Sequence, residues 1–292
     1  MAQLKESELK KQIKEKAFVP LYFLYGEEKY LMSHYTEAIV NKALGKSYSD
    51  FNFQAFDGGK ASIDEIADAA QALPLFAERK CVLVKDLNVE ALNAGELAKL
   101  YQLLEELSET TVLIISQSTL EIDAKRSAKW KKFIATAEKN GTAVLLEKRG
   151  EIALEKQLVQ WAEKRGCGLT QINAGKIIQL CGDDLLTLSS ELEKLCAYAV
   201  GREITKDDID LLVTKNLETT VFVLGSALMA GNYDKAYQQL DLLFYQKEEP
   251  VAVLAVLSSN YVNLYRAKTA LESGEKTVSY THLRAHETDQ YL

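Results

Sequence analysis

After a charged N-terminal stretch at helical spacing (Met1–Lys16), short apolar runs alternate with amphipathic ones through the first half of the chain. Residues 20–24, Pro-Leu-Tyr-Phe-Leu, predict a strand, and beyond the turn Tyr25-Gly26-Glu27-Glu28 the residues Tyr30, Leu31, His34, Tyr35, Ile39 and Ala43 fall on one helical stripe. Phe51 to Phe56 alternates as a strand closed by Asp57-Gly58-Gly59, and a helix opens at Ser62 with Ile63, Ile66, Ala67, Ala70 and Leu73 inward. Further buried strands are predicted at Cys81–Val84, Thr111–Ile115 and Ala143–Leu146. The intervening helices run from about Glu96 to Leu107 and through Trp130, Phe133, Ile134 and Ala137, which repeat at i, i+3, i+4 and i+7. Strands alternating with helices imply a largely parallel, three-layer α/β sheet.

From about Gly150 the strand signals stop. Ile152–Arg165 and Ala174–Cys181 read as helices, the second ended by Gly182. A third starts at an Asp183 N-cap and carries Leu185, Leu188, Leu192, Leu195 and Ala199 every three or four residues, as a helix core face does. Thr205-Lys-Asp-Asp208 resembles a capping box. Val221–Ala230, Tyr233–Tyr245 and Pro250–Leu271 then predict long helices joined by tight turns, which is the pattern of antiparallel hairpins.

A chain of 292 residues with 47% hydrophobic and 26% charged residues can bury a real core, and its length fits two or three domains. No run approaches the roughly 18 uncharged apolar residues of a membrane span, so a cytoplasmic protein without a membrane partner is expected. A net charge of −7 argues against bulk non-specific binding to nucleic acid, whose phosphates call for a basic face. Cys81, Cys167, Cys181 and Cys196 contain no CxxC pair and read as small buried thiols, leaving neither a metal site nor any cofactor to expect.

The segment Val278–Thr288 breaks the helical pattern. Back-translated, it is similar to one frame of a transposon-based sequencing adapter, so residues 278–292 are taken as a non-native tail and the chain as C-terminally truncated. That sets aside His282 and His286, superficially metal-like at i,i+4. His34 then remains, and it reads as a structural or surface residue.

In a P-loop ATPase the first strand runs into G-x-x-x-x-G-K-[ST], whose backbone N–H groups cradle phosphates. Here that place reads Gly26-Glu27-Glu28-Lys29-Tyr30-Leu31-Met32-Ser33. One glycine survives, Tyr30 and Leu31 would fill the phosphate space, and two carboxylates take the positive helix end that an anion would use. The later Gly45-Lys46-Ser47 is better explained as a helix cap. Cys81–Val84 continues to Lys85-Asp86 instead of paired acids for magnesium, and Asp86 reads as a strand-end surface residue. No catalytic residue is expected, because His34 would have to serve every role.

Four stretches carry a resemblance: Tyr25-Gly26-Glu27-Glu28; Gln71-Ala-Leu-Pro-Leu-Phe76; Gly182 to Leu195; and Val221-Phe222 through Ala236 with Glu248-Glu-Pro250. Together, over residues 18 to about 273, they resemble the delta subunit of the bacterial DNA polymerase III clamp loader. The resemblance implies α/β plus all-α architecture, with a nucleotide-free, P-loop ATPase-like (AAA+-type) parallel-sheet domain over 1–148. It also implies a small helical lid domain over 149–213 and a partial helical collar over 214–277. The expected function is to bind the sliding clamp and help open it for loading onto primed DNA in chromosomal replication. The chain would be a non-catalytic subunit of the polymerase III holoenzyme. Motor ATPase subunits and delta-prime would be partners through the collar. A divergent ATPase of the same fold, or a nucleic-acid-binding adaptor outside replication, is the competing reading.

By residue type alone, Leu75 and Phe76 read as core residues. The resemblance reverses that preference, since Gln71 followed by a hydrophobic pair is similar to the clamp-binding signature. Pro74 would interrupt the helix and present Leu75 and Phe76 as a wedge, with Leu73 assignable to wedge or core. The cluster Lys125, Arg126, Lys129, Lys131 and Lys132 around Trp130 reads first as a solvated helix face, with DNA-backbone contact as the alternative.

Overall fold

A computed structural model describes residues 6–45, 49–120, 122 and 126–272. The chain divides into two compact units between Arg149 and Gly150.

In the first unit, β1 (Leu21–Gly26), β2 (Phe53–Asp57), β3 (Lys80–Lys85), β4 (Thr111–Ser116) and β5 (Thr142–Leu146) form one sheet in the order β2-β3-β4-β1-β5. Every pairing is parallel; Leu24 is opposite Ser116 on one side and Val144 on the other. The strand-connecting helices are α2 (Lys29–Leu44), α3 (Ile63–Gln71), α4 (Ala94–Glu105) and α5 (Ala128–Asn140), with α1 (Glu6–Glu15) leading in. The near-continuous apolar runs of β1, β3 and β4 follow from burial of a parallel sheet on both faces. At the centre, Phe23 stacks on Tyr25 at 4.8 Å between ring centroids and meets Phe133 edge-on at 4.9 Å. Trp130, Phe133, Ile134 and Ala137 of α5 are all buried as their spacing predicts.

Two helix readings shift. The buried face of α2 is Leu31, Met32, Tyr35, Thr36, Ile39 and Val40, so the stripe is rotated and His34 is exposed. Helix α3 has the Ser62 capping box and buries Ile63, Ile66, Ala69 and Ala70, but it ends at Gln71, and Leu73 lies outside the core, 80% exposed. Gly45 does end α2, at φ +86°, while Lys46 and Ser47 lie outside the described residues.

The second unit is helical: α6 (Glu151–Lys164), α7 (Gln171–Cys181), α8 (Leu185–Tyr198), α9 (Lys206–Leu212), α10 (Leu217–Met229), α11 (Tyr233–Tyr245) and α12 (Pro250–Glu272). Leu185, Leu188, Leu192, Leu195 and Ala199 are fully buried, but the N-cap of α8 is Asp184, whose carboxylate accepts from the Thr187 N–H at 2.7 Å, not Asp183. Thr205 and Asp208 form the capping box at α9, reinforced by Arg202, which grips Asp208 with both guanidinium arms at 2.6 and 3.0 Å. Helices α10–α12 gather around Val221, Leu224, Ala227, Ala236, Leu243 and Val253. All four cysteines are buried free thiols, and burial pushes those of Cys81 and Cys181 up to about 12. The 278–292 tail, with His282 and His286, lies outside the described residues.

Candidate functional site

An open parallel sheet binds ligands beyond the carboxyl ends of its strands, where the order reverses; here that place is beside β1. Only Glu27 and Glu28 separate the end of β1 from the start of α2. Gly26 adopts φ +126° and lies so close to β5 that a β-carbon would come within 2.3 Å of the Leu146 carbonyl oxygen. The Glu28 N–H donates to that same oxygen at 3.0 Å, and the Lys29 N–H donates to Glu27 O at 3.1 Å. A phosphate cradle needs several such N–H groups aimed at one anion, and these two are directed instead to Leu146 and Glu27. Backbone packing closes the turn, while Leu31 is buried and Tyr30 stacks on exposed His34 at 6.1 Å. Lys29 is exposed at the helix start.

Asp86 is a fastening between strands, which corrects its reading as a plain surface residue. Its Oδ1 accepts from the N–H groups of Ser118 and Thr119 at 2.6 and 2.7 Å, and its Oδ2 from the Ser118 hydroxyl at 3.0 Å. Burial alone would raise its pKa, yet the donated hydrogen bonds hold the carboxyl below the usual value. These bonds join the segment after β3 to the segment after β4. Among the described residues, no group of three or more His, Cys, Asp or Glu side chains is placed to hold a metal.

The basic cluster is partly committed to the fold. Lys129 donates to the carbonyls of Glu90 and Leu92 at 2.8 and 2.9 Å, and Lys132 sits 4.6 Å above the Tyr101 ring. Arg126 and Lys131 are exposed, and Lys125 lies outside the described residues.

The α3–β3 loop collects the other predicted side chains. Gln71, the last residue of α3, and Leu73, Leu75 and Phe76 of the loop are all exposed, with Leu73 at 80%, Leu75 at 45% and Phe76 at 101% of full accessibility. Phe76 also holds φ +53°, a left-handed conformation that is costly for a bulky residue. The loop is nevertheless fastened just before its start and again at its middle. The Thr111 hydroxyl donates to Ala70 O at 2.8 Å at the end of α3, and the buried Asn52 side chain makes two 2.8 Å hydrogen bonds to the backbone of Leu75. Phe76, Ala77 and Glu78 border a groove of about 550 Å³ whose other wall includes Lys16, Asn41 and Lys42. Sequence reasoning missed Asn52 and Thr111. Their types are ordinary for strand ends, and nothing in the local pattern marks their distant backbone partners.

In the second unit an apolar groove of about 400 Å³ runs along α10–α12, lined among others by Leu224, Tyr237, Leu240, Phe244, Val253 and Leu257. Tyr237 and Phe244 are exposed on it.

The sheet order, the turn after β1 and the helical second unit define a protein with an open, all-parallel α/β domain followed by helical domains. A family profile described as DNA polymerase III, delta subunit, matches residues 22–145, and a profile for the C-terminal domain of the DNA polymerase III delta subunit matches residues 218–283. Because the two stretches together take in more than half of it, the chain belongs to the family of DNA polymerase III delta subunits, non-catalytic components of the clamp loader that serves replication. The Bacillus subtilis DNA polymerase III subunit delta is 25% identical over 290 residues, covering 94% of this chain and 80% of that one. The Escherichia coli subunit delta is 24% identical over 275 residues, covering 92% and 76%. Among solved structures, the Bacillus subtilis DNA clamp loader delta protein superposes with a TM-score of 0.69 at 23% identity, over 95% of this chain and 83% of that one. That superposition bears on the fold.

Proposed function

We propose that this delta-family chain binds the sliding clamp through Gln71, Leu73, Leu75 and Phe76 and favours the clamp's open form. The observation that carries the reading is the exposure of three large apolar side chains on one fastened loop, Phe76 completely so. A solvent-facing phenylalanine in a left-handed backbone gains nothing from burial within this chain and costs about 1 kcal/mol or more. Such a residue is explained by a partner pocket, where aromatic anchors dominate binding energy. Opening follows as a population shift, with the wedge binding the open clamp interface better than the closed one.

The remaining assignments extend this reading. The sheet domain spans 1–148, a lid 149–213 and a partial collar 214–277, and the collar joins the motor ATPase subunits and delta-prime in the cytoplasm. The exposed apolar groove of α10–α12 supports that role for the collar. Primed DNA is reached within the assembled loader, with the cluster of Lys125, Arg126, Lys129, Lys131 and Lys132 as the candidate contact to its backbone.

Pull-down by the cognate clamp, comparing wild type with Leu75→Ala/Phe76→Ala, tests the wedge. Capture is expected to fall to background; undiminished capture would sink the assignment.

A further inference from the structure

Resting on the reading of this loop as the clamp-binding element, the geometry points to a further residue for the same task, one that touches no partner. We propose that Asn52 is a positioning residue that sets the conformation in which Leu73, Leu75 and Phe76 are presented.

Asn52 is 5% exposed and precedes β2. Its own backbone is locked into the sheet edge, with its N–H donating to Ser49 O at 3.0 Å and its carbonyl accepting from the Cys81 N–H at 2.8 Å. From that fixed base the carboxamide treats Leu75 as a strand neighbour would. Nδ2 donates to Leu75 O at 2.8 Å, and Oδ1 accepts from the Leu75 N–H at 2.8 Å. A primary amide is suited to this, since it offers a donor and an acceptor side by side in one plane. Both backbone groups of Leu75 are thereby satisfied, and the peptide units on either side of it are fixed.

The consequence reaches the two neighbours. Pro74 restricts the chain on one side of Leu75, and left-handed Phe76 follows on the other, so a held Leu75 leaves little freedom between them. The Thr111 bond to Ala70 O fixes the end of α3 in the same way. An apolar loop without such fastenings would sample many conformations, or fold its side chains back onto the sheet, and binding would have to offset that ordering each time. Fixing the ridge beforehand removes this cost from association. Asn52 therefore acts on clamp affinity through Leu75 and makes no contact with the clamp.

The test uses the full chain with Asn52→Ala, Asn52→Asp and the Leu75→Ala/Phe76→Ala control. Asn52→Asp keeps an acceptor for the Leu75 N–H and loses the donor to its carbonyl, so it serves if the alanine variant folds poorly. Clamp dissociation constants are measured alongside amide hydrogen exchange at Leu75, Val82 and Ile114. Exchange at Leu75 is expected to speed up at least about tenfold while Val82 and Ile114 stay protected, and the clamp dissociation constant to rise about tenfold in Asn52→Ala. A role in overall folding would move all three amides together and would overturn the proposal. So would wild-type clamp affinity in both Asn52 variants while Leu75→Ala/Phe76→Ala has lost binding. Undiminished binding by Leu75→Ala/Phe76→Ala would instead remove the clamp reading itself, and this proposal with it.

Discussion

The carbonyl oxygen of Leu146 in β5 occupies the space into which any side chain on Gly26 would project, 2.3 Å from where its β-carbon would stand. The same oxygen receives the Glu28 N–H, so one backbone group ties the end of β1, the turn and the start of α2 to β5. The glycine that in an ATPase would begin a phosphate loop is here kept for strand packing. Gly26→Ala must therefore move β5 as well as adopt φ +126° with a side chain. It is expected to lower unfolding free energy by at least about 2 kcal/mol in urea titration. A loss under about 0.5 kcal/mol would show that the contact yields freely.

With the Glu28 and Lys29 N–H groups bonded to Leu146 and Glu27, the turn has little to offer a nucleotide. Saturating ATP with magnesium is expected to leave the melting temperature unchanged. A site occupied at a hundredfold excess over its dissociation constant would add about 2.7 kcal/mol, which a thermal melt would detect readily. Such a shift, or ATP turnover by the purified chain, would favour the divergent-ATPase reading.

Phe76 offers a test in which stability and binding move in opposite directions. Glycine accepts φ +53° without steric cost, and no burial is lost at a fully exposed ring. Phe76→Gly is expected to raise folding stability by up to about 1 kcal/mol while clamp capture falls. A fall in stability of that size would mean that the ring packs on this chain in solution.

Glu6 fastens α1 to the rest of the sheet unit: its carboxylate accepts from Arg149 Nη2 at 2.6 Å and from the Tyr35 hydroxyl, with Lys10 beside it at 2.7 Å. Burial by itself would raise its pKa, but these donors and cations together hold it below the ordinary 4.5. A depressed folded-state value means that the contribution is complete above about 4.5 and is lost as pH falls through the lower folded value. Glu6→Gln is expected to cost about 1 kcal/mol near neutral pH and to lose less further stability than wild type on acidification below about 4.5. Parallel acid profiles for the two proteins would refute the assignment.

Much of the sheet unit can be read from local pattern, because strands buried on both faces must be continuously apolar and the helix between each pair must be amphipathic. Helix caps are legible for the same reason: Ser62, Thr205 and Gly45 act within one turn of their own position. Where neighbouring candidates compete, pattern alone slips, as at Asp183 and Asp184 or on the rotated face of α2. Leu73 sits at helical spacing from Ile66 and Ala70 and so reads as core, but α3 stops at Gln71 and the side chain is left outside.

The sequence by itself determined the alternation of strands and helices, the helical second half, the loss of the phosphate-loop residues and the apolar run at Leu73–Phe76. Those are properties of neighbours along the chain. Only the tertiary structure decided that Gly26 is reserved for Leu146, that Asp86 fastens Ser118 and Thr119, and that Phe76 faces solvent on a loop held by Asn52. Each of those depends on a partner 23 or more residues away, as Asn52 is from Leu75, and such pairs become neighbours only when the parallel strands are laid side by side.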